Sequence, residues 1–496
     1  MNSGRIVRNT AWYGLENAIS FASSLITSIA IARSLGPSQM GYIIYIIWIA
    51  GIASSLGSVG IPATARKYMA EYLGAGDKAT ARHIYLRALA LQTALATIIT
   101  GGLLVWVWLS AEPRYKWAAC ILVLSIWPAM VNFISAQANV AAERLSANLP
   151  ASMAATATFL VGILLTVGLH WGVIGVASAM FAMRFVDFAV RFVPTAGQMF
   201  RWPSVGALHL ADLRRRMFYF AWQSLAGMLL TIIVWDRSEL FLLKHLSTDI
   251  RQIAFYSVAF NLAERLLVFP TVFAAATGAS IFAQYGRDRT RIPSMVASAT
   301  RYLGLTSIPL HIIAVGLAGP LVLTLYGRQY AGAVAVSMAA PLLCLPKAFL
   351  GPIQSLFEST ELQKYFIWST VFASAIDIGV AWMLIPHYGA LGACIGSGVA
   401  QTVAICSMWI IGIRRYRIAL PWAFFGKIGL ASIIASTAGY LTVRWLPTIS
   451  GLIVGTIIAS VVFLTLLLLS GCLTEEDWGR GKFILNMWRP SQTVPL

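Results

Sequence analysis

Long apolar stretches recur along this chain at lengths that fit a lipid bilayer. Two of them read GVIGVASAMFAM, at 172–183, and GLIVGTIIASVVFLTLLLLSG, at 451–471. A helix of about 20 apolar residues crosses the hydrocarbon core of a membrane. With 58% hydrophobic and only 11% charged residues, the chain holds more apolar surface than a soluble core needs. The sequence therefore predicts an all-α integral membrane protein.

Charged and Pro/Gly-rich breaks divide the apolar stretches into about fourteen predicted transmembrane helices. The predicted spans are 10–34, 41–64, 83–109, 117–141, 152–169, 172–193, 217–243, 252–282, 301–325, 331–357, 364–386, 389–413, 422–445 and 449–472.

The net charge of +18 is concentrated in alternate loops between these spans. Basic residues of the even-numbered loops are Arg66, Lys67, Lys78, Arg82, Arg144, Arg201, Arg214, Arg215, Arg216, Arg287, Arg289, Arg291, Arg414, Arg415 and Arg417. An excess of Lys and Arg in alternate loops marks the cytoplasmic side. We therefore expect both termini to be cytoplasmic, and we ascribe the positive charge to topology, with no nucleic acid as a partner.

One short motif occurs twice. HWGVIG at 170–175 returns as HYGALG at 387–392, and in both copies it falls at the outer turn between a fifth and a sixth span. Copies that cross the membrane in the same direction indicate parallel repeats. His170 and His387 could carry protons, but anchoring at the interface beside Trp171 and Tyr388 explains them more simply.

The repeat predicts two pseudo-symmetric six-helix lobes followed by two further helices. The predicted divisions are an N-lobe at 1–200, a cytoplasmic amphipathic linker at 201–216, a C-lobe at 217–420, two C-terminal helices at 421–473 and a cytoplasmic tail at 474–496.

Ionisable residues inside the spans are the candidates for function, because the bilayer makes each of them costly unless it faces a cavity or a partner. These are Glu16, Arg87, Arg184, Asp187, Asp236, Arg237, Glu264, Arg265, Lys347 and Asp377. Arg184 and Asp187 lie one helical turn apart and could neutralise each other. Lys347 follows Pro346, which is expected to break the tenth span in mid-membrane.

The sequence lacks the short motifs of nucleotide hydrolysis, metalloproteases and serine hydrolases. The five cysteines show no metal-ligand spacing. We therefore expect a secondary transporter, which is not an enzyme and uses no cofactor or metal.

Several stretches resemble one family. IARSLGPSQMGYIIY at 31–45 and GSVGIPATARKYMAEY at 57–72 are similar to the first hairpin of polysaccharide transporters of the MOP superfamily, the Wzx-like flippases. Residues 234–266 resemble the seventh and eighth helices of that family, and IPHYGALGACIGSGVAQ at 385–401 resembles its eleventh-to-twelfth turn. With the two lobes and two trailing helices, the resemblance covers nearly the whole chain.

The resemblance implies a function in bacterial envelope synthesis. An undecaprenyl-diphosphate-linked oligosaccharide repeat unit would be flipped across the inner membrane by alternating access, for O-antigen, capsule or exopolysaccharide. H⁺ or Na⁺ would drive the transport, membrane lipids would surround the chain, and the polysaccharide polymerase machinery would be a partner.

Depth and charge then suggest roles for individual residues. Arg265, Lys347 and Arg184 are the expected ligands of the diphosphate, because Arg and Lys suit phosphates. Glu264, Asp236, Asp377 and Glu16 are the expected ion-coupling acids.

Three alternatives remain open. A lipid II flippase shares the expected fold, but its Arg–Asp pairing in the first helix is not evident here. A multidrug or cation antiporter usually has twelve spans and an acidic cavity. A membrane polysaccharide polymerase or ligase would carry a large outer loop, whereas no predicted outer loop exceeds about fifteen residues.

Overall fold

The computed structural model describes the backbone of residues 3–204, 211–235, 238–360, 362–446 and 448–473. Throughout these ranges the regular elements are α-helices and short 3₁₀ segments, which confirms the all-α prediction. The first nine helices are α1 Ser3–Gly57, α2 Ile61–Gly74, α3 Lys78–Ser110, α4 Lys116–Leu124, α5 Ile126–Ala141, α6 Leu149–Gly168, α7 Gly172–Phe200, α8 Ala211–Trp235 and α9 Glu239–Leu246. The remaining nine are α10 Arg251–Leu266, α11 Val268–Arg287, α12 Ile292–Leu325, α13 Ala333–Cys344, α14 Leu350–Ser359, α15 Gln363–Tyr388, α16 Ala390–Tyr416, α17 Trp422–Trp445 and α18 Ile449–Leu469.

Eleven segments of the described chain are long and apolar enough to cross a membrane, or twelve if the bent pair α10 and α11 forms one span. A multi-pass membrane protein is thus confirmed, but the count of fourteen is not. Part of the difference lies in α1, which contains the first predicted span and residues 41–57 of the second, separated by a break where the sequence predicts one. Gly36 interrupts it with non-helical angles (φ 73°, ψ 170°), and Pro37 follows.

The chain divides into two compact units, residues 1–255 and 256–496. The predicted lobe boundaries remain predictions. Residues 205–210 of the predicted linker and all of the predicted tail lie outside the described residues.

In the first unit, α8 begins against α2. The rings of Tyr68 and Phe220 meet edge to face at 6.2 Å, and the Lys67 ammonium lies 4.0 Å from the Phe220 ring centroid. An ion pair of 3.0 Å joins Arg216 to Glu71 above this contact. Beneath it lies a core formed by α2, α3, α5, α7 and α8, in which Met69, Tyr85, Ile134 and Met199 are fully buried.

In the second unit, the last two helices pack on α12. Their apolar core contains Ile308, Ile428 and Phe463. Ser436 on α17 donates a hydrogen bond of 2.9 Å to the Ile312 carbonyl, which ties α17 to α12. The Arg301 guanidinium donates to the Cys472 carbonyl at 3.1 Å and so holds the end of the described chain. The predicted pair of C-terminal helices is therefore an integral part of this unit.

Each copy of the repeated motif forms a helical hairpin, α6–α7 in the first unit and α15–α16 in the second. A Cβ added at Gly162 would lie 2.8 Å from the Ala179 Cβ, and one at Gly392 would lie 2.5 Å from the Leu384 carbonyl oxygen. These glycines allow the paired helices to approach closely. His170 and His387 are both exposed at the turns.

Candidate functional site

The predicted second span is interrupted between α1 and α2. Val59 (φ 46°) and Gly60 (φ 67°) both adopt left-handed angles there, and α2 restarts at Ile61 with Pro62 in its first turn. A Cβ on Gly60 would lie only 2.6 Å from the Ala221 carbonyl oxygen of α8. The position thus requires glycine for its backbone angles and for the close approach of α8.

A cavity of about 550 Å³ opens beside this break, and we call it the Arg184 cavity. Its walls come from α1, the break, α2, α4, α5, α7 and α8. Arg184 is the single charged side chain among the described residues that line it. Five serine hydroxyls also line it, those of Ser54, Ser55, Ser58, Ser125 and Ser224.

Several of these serines have fixed hydroxyl directions. Ser54 donates to the Ala50 carbonyl at 2.7 Å and Ser125 to the Leu122 carbonyl at 2.6 Å. Ser58 donates to the Ser54 carbonyl at 2.8 Å. Because each proton is used within its own helix, the oxygen lone pairs of Ser54 and Ser125 are available to a donor in the cavity. Sugar hydroxyls are such donors.

Arg184 forms no ion pair with Asp187, although the two residues lie one turn apart in α7. Asp187 is instead paired with Arg191 and accepts a hydrogen bond of 2.8 Å from Asn132 of α5. Arg191 also donates to Ser152 at 3.3 Å. Arg184 and Asp187 therefore do not form an ion pair with each other. Arg184, Asp187 and Arg191 together leave this stretch of α7 with a net charge of +1.

The second unit has a break of its own around Lys347. The segment Leu345–Phe349 is 3₁₀, so α13 ends at Cys344 and α14 begins at Leu350. This confirms the predicted break at Pro346.

A further break in the second unit separates α10 from α11, which are bent by 43° across Leu267. The Glu264 carbonyl accepts from the Leu267 amide at 3.1 Å at this point. The Glu264 carboxylate lies 3.7 Å from the Lys347 ammonium, and the two side chains are 38% and 21% exposed. The Glu264–Lys347 ion pair thus connects the break after α10 with the 3₁₀ segment after α13. Arg265 lies in the last turn of α10, next to Glu264.

The remaining predicted ion-coupling acids are Asp377, Asp236 and Glu16. Asp377 is 1% exposed within α15. Asp236 and the side chain of Glu16 lie outside the described residues. The roles of all seven candidate residues remain predictions.

Sequence reasoning missed two features of these sites. It did not anticipate the break at Gly60, although a glycine followed by Pro62 inside a predicted span is a recognisable signal. It also did not pair Glu264 with Lys347, because no local spacing links residues that are 83 positions apart.

Several solved structures share the fold of this chain. An inward-facing multidrug resistance MATE family transporter of the MOP superfamily superposes with a TM-score of 0.67 at 17% identity, over 80% of this chain and 94% of that one. The lipid II flippase MurJ in an inward closed conformation gives 0.68 at 14% identity, over 92% and 97%. A MOP superfamily transporter from Pyrococcus furiosus, whose binding pocket is described as reversed in polarity, gives 0.58 at 16%, over 83% and 95%. The fold is that of MOP-type transporters.

The family follows from the sequence match. The family model described as "Polysaccharide biosynthesis protein" matches residues 6–285, and the chain belongs to this family. The resemblance to polysaccharide transporters of the MOP superfamily is thereby confirmed. A comparison with curated proteins found no match.

Proposed function

We propose that this protein flips a polyprenyl-diphosphate-linked oligosaccharide repeat unit for surface polysaccharide synthesis. The observation that carries the proposal is the Arg184 cavity, which has one cation and no carboxylate among its described lining residues. In a low-dielectric wall, that balance attracts an anion and repels a cation. A guanidinium can hold two phosphate oxygens at once, which suits a diphosphate.

The serine hydroxyls of the cavity are consistent with the oligosaccharide part of the proposed substrate. A sugar presents many hydroxyl groups, and each needs a hydrogen-bonding partner once it leaves water. Ser54 and Ser55 offer such partners in the cavity that Arg184 also lines. A purely apolar drug would leave these oxygens unsatisfied.

The pair of Lys347 and Glu264 is proposed as the ion-coupled element. Lys347, with Arg265 beside it, would provide cations for the diphosphate in the second unit. A proton or Na⁺ bound by Glu264 would weaken its hold on Lys347. Transport by alternating access, driven by H⁺ or Na⁺, is the mechanism we propose.

A cation antiporter fits the charge pattern less well. The eleven or twelve candidate spans found in the described residues do not argue against a multidrug transporter. The two functions are then distinguished by charge, and no described residue lining the cavity is the acid that a cationic drug requires. We also propose that the protein acts as a transporter and not as an enzyme, in the bacterial inner membrane with both termini cytoplasmic.

The test is to delete the gene and identify the polyprenyl-linked intermediates by mass spectrometry. Accumulation of one defined diphosphate-linked repeat unit is expected, and its restoration to normal levels by the wild-type gene is the control. Accumulated lipid II would identify the protein as a lipid II flippase, whereas accumulated nucleotide sugar would indicate a polymerase or another enzyme. Either of these results would contradict the proposal.

A further inference from the structure

A second and larger cavity, of about 950 Å³, lies in the first unit between α3 and α8. Both helices pack on α2, whose Ile61 and Thr64 form the floor of the cavity. We call it the α3–α8 groove. It contains no acidic side chain among its described lining residues, but it contains His83, Arg87 and Arg214.

The side chains of the groove follow one order on both walls. On α3, the residues His83, Arg87, Leu91 and Leu95 recur at intervals of four, and on α8 the same spacing joins Arg214, Phe218 and Trp222. Residues four apart lie on the same face of a helix. Each wall therefore has cationic groups toward the helix start and apolar groups further along.

The two helices start at the same end of the first unit. The Arg82 guanidinium, next to the start of α3, donates to the Trp202 carbonyl at 2.7 Å. At the other side of α2, Arg216 near the start of α8 is paired with Glu71. Asp77 caps α3 there by accepting from the Thr80 amide at 2.9 Å, and this hydrogen bonding keeps the pKa of Asp77 below its usual value. The cations of both walls thus lie together.

The apolar part of the groove is open. Leu91 is 53% exposed, Phe218 75% and Trp222 62% in the full chain. Arg87 and Arg214 are also exposed, and neither has an ion pair in the part of the chain that the structure describes. A large apolar strip bounded by free cations at one end is the complement of a lipid with an anionic headgroup.

We infer that the α3–α8 groove binds an anionic phospholipid of the surrounding membrane. Arg87 and Arg214 contact its phosphate, and an acyl chain lies along Leu91, Leu95, Phe218 and Trp222. Eight residues of helix separate Arg87 from Leu95, which is about 12 Å. Half the hydrocarbon thickness of a bilayer is about 15 Å, so the apolar strip matches one leaflet.

The site is separate from the transport pathway proposed above. It shares no lining residue with the Arg184 cavity among the described residues. A lipid seated here contacts α3 and α8 at once and so holds α8 against α2. The inference that the groove binds a lipid therefore does not depend on which substrate the protein transports.

The experiment measures lipid selectivity of the purified full-length chain. The protein is reconstituted in nanodiscs of phosphatidylcholine with 20% phosphatidylglycerol, extracted in mild detergent, and analysed for retained lipid by native mass spectrometry. Wild type is expected to retain phosphatidylglycerol in excess of its share. The variant Arg87→Gln/Arg214→Gln is expected to lose about fivefold of that preference for each arginine removed.

A matched control removes the same charge from the same end of the unit. Arg66→Gln/Arg215→Gln alters two exposed arginines that do not line the groove, and it is expected to keep the preference. A second variant, Ala90→Trp, fills the groove without changing charge and is expected to reduce retention of phosphatidylglycerol.

Three outcomes overturn the inference. Equal losses in the groove variant and the matched control indicate only diffuse surface charge. Retention of phosphatidylglycerol by wild type only in proportion to its share of the nanodisc lipid means that the groove takes any acyl chain. If an added polyprenyl phosphate displaces phosphatidylglycerol completely at a lower concentration, the groove is a substrate-tail site.

Discussion

Two intramembrane cations, Arg184 in the first unit and Lys347 in the second, occupy comparable places and have different neighbours. Each lies beside a break in the helical backbone, at Gly60 for Arg184 and at Leu345–Phe349 for Lys347. Arg184 forms no ion pair among the described residues, because the nearby Asp187 is engaged by Arg191. Lys347 is paired with Glu264 at 3.7 Å.

This contrast shows how one charge type can serve two purposes. A cation without a carboxylate is available to an anionic ligand at all times, since no protein group competes for it. A cation paired with a titratable acid becomes available only when that acid is neutralised or otherwise occupied. The first arrangement favours binding, and the second favours coupling to an ion.

The largest effect is expected from removing Asp187. The variant Asp187→Ala leaves Arg191, whose side chain is 12% exposed, without its partner, and should lower the free energy of unfolding by about 3 kcal/mol. Thermal unfolding of the purified protein, followed by tryptophan fluorescence, measures this. Adding Arg191→Ala should recover part of the loss. Recovery on adding Arg184→Ala instead would mean that Arg184 is the true partner of Asp187.

The next effect concerns Arg184 itself. Truncation in Arg184→Ala should slow flipping about 10- to 100-fold, because a charge-assisted hydrogen bond to a phosphate contributes roughly 1.5–3 kcal/mol. Arg184→Lys should be intermediate, since it keeps the charge but loses the bidentate geometry. Accumulation of the lipid-linked repeat unit in complemented deletion cells measures the defect. The exposed Arg144→Ala serves as control, and an equal defect there would remove Arg184 from the mechanism.

The two helix breaks should respond differently to substitution. Gly60→Ala places a Cβ at a left-handed angle and against the Ala221 carbonyl, and should reduce stability by about 2 kcal/mol. Pro346→Ala should change it by less than about 1 kcal/mol, because Ala is compatible with the 3₁₀ angles. Unfolding midpoints of both variants test the contrast. Equal midpoints would show that the breaks have the same origin.

The smallest effect is expected for the stability contribution of the Glu264–Lys347 pair. A double-mutant cycle of Glu264→Gln and Lys347→Ala should give a coupling energy below about 1 kcal/mol, because both side chains are partly exposed. In proteoliposomes, Glu264→Gln should nevertheless abolish stimulation of transport by an imposed H⁺ or Na⁺ gradient. Undiminished stimulation would exclude Glu264 as the coupling acid.

The sequence predicted the helical class, the membrane location and the family well, because these depend on long-range averages of hydropathy and on motifs spread over the chain. The break at Pro346 could also be predicted from the sequence, since proline removes a backbone donor wherever it occurs. The number of membrane spans was harder to predict from the sequence. Gly36 breaks α1 between the first and second predicted spans, as the sequence predicts, but a further break at Gly60 falls inside the second predicted span.

The individual ion pairs could not be predicted from the sequence. Spacing along α7 allows Asp187 to reach Arg184 or Arg191 equally well, and the choice is made by Asn132 on α5, which fixes the carboxylate from another helix. The order of residues on α3 and α8 was readable from four-residue spacing. Their juxtaposition over α2 was not.

From its amino-acid sequence alone, this chain can be identified as a many-helix membrane protein with a repeated hairpin and a few charged residues within its spans. Hydropathy and helical period are local properties, and they suffice for that much. Which of those charges are neutralised depends on the fold, because ion pairs and cavities form between side chains that are distant in sequence. Thus Lys347 has Glu264 as a partner, whereas Arg184 has a hydroxyl-lined cavity.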